Sequence, residues 1–320
     1  MCSHTVFIDG QAGTTGLQIH ERLKCRSDIE LISLKETERR SVEKRKELLN
    51  TADISILCLP DDAATEAVCL VENPKSRIID TSSAHRTSEG WVYGLPELDV
   101  KQKQQIASAR RLSNPGCYAN ASISILRPLI LNKLLPVNSP IYINAISGYS
   151  GGGTKLIESF ENERAENHIS DAFRIYGLSL DHKHIPEIQH WSGLTKRPLF
   201  VPSVGRFKQG MIVQVPLHLS TLPNKPSPFD IYNTIQGHYK NEKFIKVSPL
   251  HEAEMISALE PEFLNKTDLL HIHVLCNKRH QQVLLVAVLD NLGRGASGQA
   301  VQNMNIMLGL SEQTGLKEKN

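Results

Sequence analysis

The sequence predicts an α/β protein of two domains, a mostly parallel sheet covered by helices on both faces followed by an α+β domain. At 320 residues the chain exceeds the size at which one hydrophobic core usually gives way to two. Its first third alternates short branched apolar runs with helical stretches, the pattern of strands buried on both faces. Later apolar runs alternate with polar residues instead, as strands with one face in a core do.

Thr5–Asp9 reads as a buried strand stopped by the glycine turn Gly10–Gly16, and Leu17, Ile19 and Leu23 supply the apolar face of the next helix. Ile29–Leu34 is a second strand. The charged helix after it carries the mixed-sign run Glu38–Lys46, a solvated surface. Ile54–Leu59 and Arg77–Asp80 are further strands, and the first domain is expected over residues 1–116. Past Ser113-Asn114-Pro115-Gly116-Cys117, the residues Ile123, Leu126 and Ile130 face a core at helical spacing, and Pro128 must kink or shorten that helix. Tyr142–Ile146, Met211–Leu219, His271–Leu275 and Val283–Leu289 are strands of a second domain, residues 117–295. Pro216 cannot donate a ladder hydrogen bond, so it is expected at an edge or bulge. One face of that sheet is left for a domain or subunit contact. Leu222–Pro228 is a loop, and a terminal helix at Ala300–Leu308 is expected to bring residues 296–312 back to the first domain.

A net charge of +2, with both signs interspersed, provides no basic field for a nucleic acid. No run reaches the ~20 apolar residues that span a bilayer, and the N-terminus lacks the pattern of a secretory signal, so no membrane partner and a cytoplasmic protein are expected. The cysteines at positions 2, 25, 58, 69, 117 and 276 fit neither a disulfide framework nor a Cys-x-x-Cys zinc site. Free thiols in a reducing compartment follow.

Gly10, Gly13 and Gly16, placed after the first strand, suit a tight turn where main-chain amides meet a pyrophosphate; Thr14 and Thr15 add hydroxyls. The spacing differs from Gly-x-Gly-x-x-Gly, and a plain structural turn is the competing reading. Lys35, Arg39 and Arg40 after the second strand offer partners to a 2′-phosphate and favour NADPH over NADH, with Glu36 the alternative ribose contact. Asn303 is placed toward the nicotinamide side.

Cys117, just past a Pro-Gly turn and before a helix, is the candidate covalent catalyst, because surrounding N–H groups favour a thiolate. A small core residue is its bland alternative. A thiolate attacks an activated acyl carbon, phosphate departs, and hydride reduces the thioester to an aldehyde. His182 and His184 flank Lys183, titrate near neutral pH, and are both candidates for the proton transfers; no nearby ligand pattern completes a metal site. Ser147 and Ser150, in a glycine-rich loop, are candidates to hold an oxyanion or carboxylate. His85, Asn114, Glu187, Arg206 and above all Arg86, whose guanidinium makes paired charge-assisted bonds, are candidates to orient a dicarboxylate-derived substrate.

Val6–Gly10, Gly13–Ile19, Cys58–Ala64, Trp91–Leu98, Asn114–Tyr118, Ser147–Gly153, His182-Lys183-His184, Val204–Phe207 and the terminal glycine segment together resemble the short-form N-acetyl-gamma-glutamyl-phosphate reductase family, in order and from end to end. The resemblance implies a Rossmann-type NADP-binding domain and an α+β catalytic and oligomerisation domain of the semialdehyde dehydrogenase type. It implies NADPH-dependent reduction of N-acetyl-L-glutamyl 5-phosphate to N-acetyl-L-glutamate 5-semialdehyde with release of inorganic phosphate, in arginine biosynthesis. It further implies a homodimer or homotetramer, Cys117 as nucleophile, and help from His182 or His184. One departure is Ala119-Asn120, where members commonly have Pro-Thr, at the start of the cysteine helix. An aspartyl-phosphate reductase of the same chemistry and a noncatalytic dinucleotide-binding regulator are the alternatives.

Overall fold

A computed structural model describes residues 3–318, so the expectation for Cys2 lies outside the described residues. The chain forms two compact units. One holds the chain up to Gly116 together with Ala296–Lys317, and the other holds Cys117–Gly295.

The first unit runs β1 (His4–Asp9), α1 (Thr14–Leu23), β2 (Ile29–Ile32), α2 (Val42–Thr51), β3 (Ile54–Leu57), α3 (Asp61–Cys69), β4 (Arg77–Asp80), β5 (Val92–Tyr93), α4 (Gln102–Ser108) and β6 (Arg111–Ser113). Its strands are all parallel, in the order β2-β1-β3-β4-β6-β5. Strand alternation sends Val6 and Ile8 to one face, against Ile19 and Leu23, and Phe7 to the other, against Leu49 and Ala67. The sheet is thus covered on both sides.

Two local expectations need correction. Helix α1 starts at Thr14, and its buried positions are Gly16, Ile19 and Leu23, while Leu17 is 53% exposed. Helical spacing of three and four residues from Ile19 falls on Gly16 and Leu23, not on Leu17. Strands β2 and β3 stop two residues short of the expected ends, β3 where the Cys58 N–H turns to the Asp9 carbonyl (2.7 Å).

The second unit runs α5 (Cys117–Leu131), β7 (Tyr142–Gly148), α6 (Gly153–Glu161), β8 (Phe173–Ile175), α7 (Ile185–Ser192), β9 (Leu199–Gly205), β10 (Met211–His218), α8 (Pro228–Tyr239), β11 (Ile245–Val247), α9 (Leu250–Ala253), β12 (Leu270–Asn277) and β13 (Gln282–Leu289). The strands make one mixed sheet, ordered β11-β12-β13-β10-β7-β9-β8. Helix α5 packs on β10 and β13 and against α7 and α8. On the other face Tyr142 and Leu199 stand 52% and 40% exposed.

Pro128 neither breaks α5 nor ends it at once; the helix runs on to Leu131. Lacking an N–H, Pro128 leaves the Ser124 carbonyl without its helical donor, and the Tyr239 hydroxyl donates to it instead (2.9 Å). Pro216 lies in an interior strand, contrary to expectation. Pairing of β10 with β7 ends at Gln214, however, so Pro216 faces only Leu284 of β13 and the strand is locally an edge there.

After β13 a π-helical turn (Gly293–Ser297) leads into α10 (Gly298–Met307). Helix α10 belongs to the first unit, where Ala300, Val301, Met304 and Met307 join the core with Val6 and Ile19.

Candidate active site

In the first unit, the glycine loop sits where the strand order reverses, between β2 and β3 on either side of β1. Gly10 has a φ of 90°, and a Cβ there would overlap the Cys58 carbonyl; one on Gly16 would meet Gly10. Close approach of backbone to backbone therefore requires both glycines. Thr14 opens α1, its hydroxyl oxygen is buried, and it has no hydrogen-bond partner among the described residues. A buried orphan hydroxyl at a helix N-terminus with no acidic residue in its first turn fits a phosphate acceptor. Lys35 and Arg39 flank a short 3-10 turn, Glu36–Glu38, after β2; with Arg40 they are exposed and, among the described residues, form no ion pair.

Asn303 of α10 donates from Nδ2 to the Gly94 carbonyl (2.8 Å) and to Asn114 Oδ1 (3.0 Å), while its own Oδ1 is buried without a partner among the described residues. The Asn114 amide also donates to the Ala296 carbonyl (3.2 Å). Arg86 is buried and spends Nε on the Asn114 carbonyl (3.1 Å) and Nη2 on the Thr81 carbonyl (3.0 Å). Arg86 and Asn114 are thus knit into the main chain of this unit. Beside them Asp80, fully buried, takes the His85 ring through Nδ1 (2.7 Å), and His85 stacks on Trp91 (4.1 Å).

In the second unit Cys117 is the first residue of α5 and is partly exposed. The first N–H groups of a helix lack intrahelical partners, so the positive end of α5 lies at the sulfur. Gly295 backs the residue closely, since a Cβ there would lie 2.8 Å from Cys117 Cβ.

The next residue, Tyr118, is buried; its hydroxyl donates to the Ser203 carbonyl (3.1 Å) and accepts from Tyr176 (3.2 Å). Burial pushes the Tyr118 phenol well above its ordinary range and Tyr176 up to about 12, so both stay neutral. Both candidate histidines pack edge-on against the Tyr118 ring, at 5.9 Å for His182 and 5.8 Å for His184, and against each other at 4.8 Å. The His184 main-chain N–H donates to His182 Nδ1 (3.2 Å), so neutral His182 carries its proton on Nε2.

Ser147 is the last residue but one of β7 and Ser150 follows in a short turn; both are buried. Ser150 accepts from Asn291 Nδ2 (3.1 Å), and Asn291 Oδ1 accepts from the Gly210 N–H (2.7 Å). Glu187 is buried in the first turn of α7. Arg206 donates to the main-chain carbonyls of Asp171 (3.3 Å) and Ile169 and lies over the Phe160 ring. Sequence reasoning passed over Tyr176, Asn291 and Asp80; it did single out His85, as a substrate contact and not as the partner of Asp80. Only the neighbourhood of Tyr118 to the cysteine hinted at the first, because the partners are far apart in the chain.

Residues 5–108 match the family model described as semialdehyde dehydrogenase, NAD binding domain, and residues 117–291 match semialdehyde dehydrogenase, dimerisation domain. N-acetyl-gamma-glutamyl-phosphate reductase 2 of Pseudomonas putida is 49% identical over 98% of this chain and 100% of its own length. Its namesake from a Nostoc species is 50% identical over 97% of this chain and 98% of its own. Among solved structures, aspartate semialdehyde dehydrogenase II of Vibrio cholerae superposes with a TM-score of 0.71 at 14% identity, over 97% of this chain and 99% of its own. That likeness concerns the fold.

Proposed function

Because the chain belongs to the N-acetyl-gamma-glutamyl-phosphate reductase family, we propose that it reduces N-acetyl-L-glutamyl 5-phosphate with NADPH to N-acetyl-L-glutamate 5-semialdehyde and inorganic phosphate, in arginine biosynthesis. The observation that carries this reading is identity of about half, extending over nearly the whole of both chains. An aspartyl substrate is disfavoured, since the aspartate semialdehyde dehydrogenases share the fold at 14% identity.

Cys117 acts as the nucleophile. Its thiolate, favoured by the N-terminal end of α5, attacks the acyl carbon, phosphate leaves, and a thioester remains on the sulfur. NADPH, when bound, supplies the hydride that reduces this thioester. Gly10, Gly13, Thr14, Thr15 and Gly16 would hold its pyrophosphate, Lys35, Arg39 and Arg40 its 2′-phosphate, and Asn303, whose buried Oδ1 is an open acceptor, would lie toward its nicotinamide side. His182 donates from Nε2 to the substrate oxygen, and the His182–His184 pair carries the proton exchanged with the sulfur. Ser147 and Ser150 bind the acyl oxygen or carboxylate. Glu187 and Arg206 of the second unit, and Arg86 and Asn114 of the first, are the further side chains that orient the substrate.

The protein works in the cytoplasm as a homodimer or homotetramer, joined through the sheet face that bears Tyr142 and Leu199 in the region matched by the dimerisation model. Turnover in reverse, from N-acetyl-L-glutamate 5-semialdehyde and phosphate with either NADP or NAD, tests substrate and cofactor together. Formation of the acyl phosphate with NADP is expected. Faster turnover of aspartate semialdehyde would overturn the substrate assignment.

A further inference from the structure

We propose that Asn120 is a positioning residue for Cys117, holding the first turn of α5 against the segment Asp290–Gly295 through its side-chain amide. The inference rests on the reading of Cys117 as the nucleophile and deepens it.

Asn120 is fully buried, three residues after Cys117, so the two share a face of α5. That face meets one strap of main chain at two points. Gly295 packs on Cys117 so closely that a Cβ would sit 2.8 Å from the cysteine Cβ, and Asn120 Nδ2 donates to the Arg294 carbonyl (3.2 Å). The bond grips the peptide that joins Arg294 to Gly295.

The strap itself is anchored away from α5. The fully buried Asp290 carboxylate accepts the Leu292 and Gly293 N–H groups (2.9 and 3.0 Å), the Lys266 N–H (2.7 Å) and the Gln209 amide (2.6 Å). Gly295 N–H closes the turn on the Asp290 carbonyl (2.9 Å), and Asn291 ties the strap to Ser150. Asn120 therefore couples the helix turn that bears the sulfur to the segment that orients a candidate substrate-binding serine.

Residue type matters here. A threonine hydroxyl stands directly on Cβ and turns to a carbonyl of its own helix. An asparagine amide reaches farther, across to Arg294. An aspartate would set two acceptors, carboxylate and carbonyl, against each other and bring a negative charge to the first turn of α5.

The test compares full-length Cys117→Ser, Asn120→Ala, Asn120→Thr and Asn120→Asp by kcat and KM in the reverse reaction. It adds the pH dependence of iodoacetamide alkylation, followed on the peptide that contains Cys117. Cys117→Ser is expected to abolish turnover. Each Asn120 variant is expected to lower kcat by about 10- to 100-fold with little change in KM, as loss of alignment at a reacting atom does. Asn120→Asp is also expected to move the alkylation midpoint to higher pH. Should Asn120→Ala fail to fold, the isosteric aspartate is read in its place, and failure of all three would overturn a site-specific role. Loss of turnover in Cys117→Ser with unchanged kcat and alkylation profile at Asn120 overturns this inference alone, even if the melting temperature falls. Turnover retained by Cys117→Ser overturns the nucleophile reading beneath it.

Discussion

Cys117 and Cys58 show how local surroundings give one residue type different chemistry. Both are partly exposed, but desolvation pushes the Cys58 thiol up to about 12, whereas Cys117 stands at a helix N-terminus. At neutral pH iodoacetamide is expected to label Cys117 and spare Cys58, as peptide mapping will read. Replacing Cys117 with serine is expected to leave NADPH binding intact while removing turnover, checked by fluorescence titration beside a rate assay. At the other end of the proposed cofactor, Arg39→Ala combined with Arg40→Ala is expected to raise the KM for NADPH at least about 10-fold and leave that for NADH nearly unchanged. The place of Cys117 at a helix start and of the glycine turn between β1 and α1 was legible in the sequence because each lies in a contiguous stretch with its own turn residues. Asn291 and Tyr176 were not, since their partners Ser150 and Tyr118 lie far away in the chain.

Single elements carry compromises that sequence rules frame without resolving. Pro128 correctly signals trouble within α5, yet the helix survives because Tyr239, on α8, supplies the donor that the proline cannot. Tyr239→Phe is expected to leave the buried Ser124 carbonyl without a partner and to destabilise the protein by about 1–3 kcal/mol, measured as a lower urea midpoint at unchanged slope. Pro216 follows the same logic: the rule against prolines inside sheets holds locally, because β7 stops pairing before it. Helix α1 illustrates the opposite limit. Leu17 looks like a core residue by type, and its position relative to Ile19 and Leu23 sends it to solvent.

For the whole molecule, pH dependence and assembly converge on the second sheet. His273 on β12 is 6% exposed, its Nδ1 lacks a partner among the described residues, and burial holds its pKa below the ordinary imidazole value. A proton then binds the unfolded chain more readily than the folded one. Stability is therefore expected to fall as pH drops through about 6.5, and to level off below the folded-state pKa. His273→Asn is expected to flatten that part of the profile, seen by comparing melting temperatures of the two proteins across pH. Tyr142→Glu, on the exposed face of the same sheet, is expected to lower the particle mass found by light scattering if that face joins subunits.

By itself, the sequence determined the kinds of secondary structure, their order and the chemical groups available for reaction, since strand and helix periodicities and turn residues act over a few positions. Tertiary structure alone decided which of those groups meet. Folding brings Asp290–Gly295 against the first turn of α5, directs the His184 N–H to His182 Nδ1, and engages Arg86 with main-chain carbonyls. Hydrogen bonds need their atoms within about 3 Å, and residues distant in sequence reach that separation only when the packed core fixes the backbone that carries them.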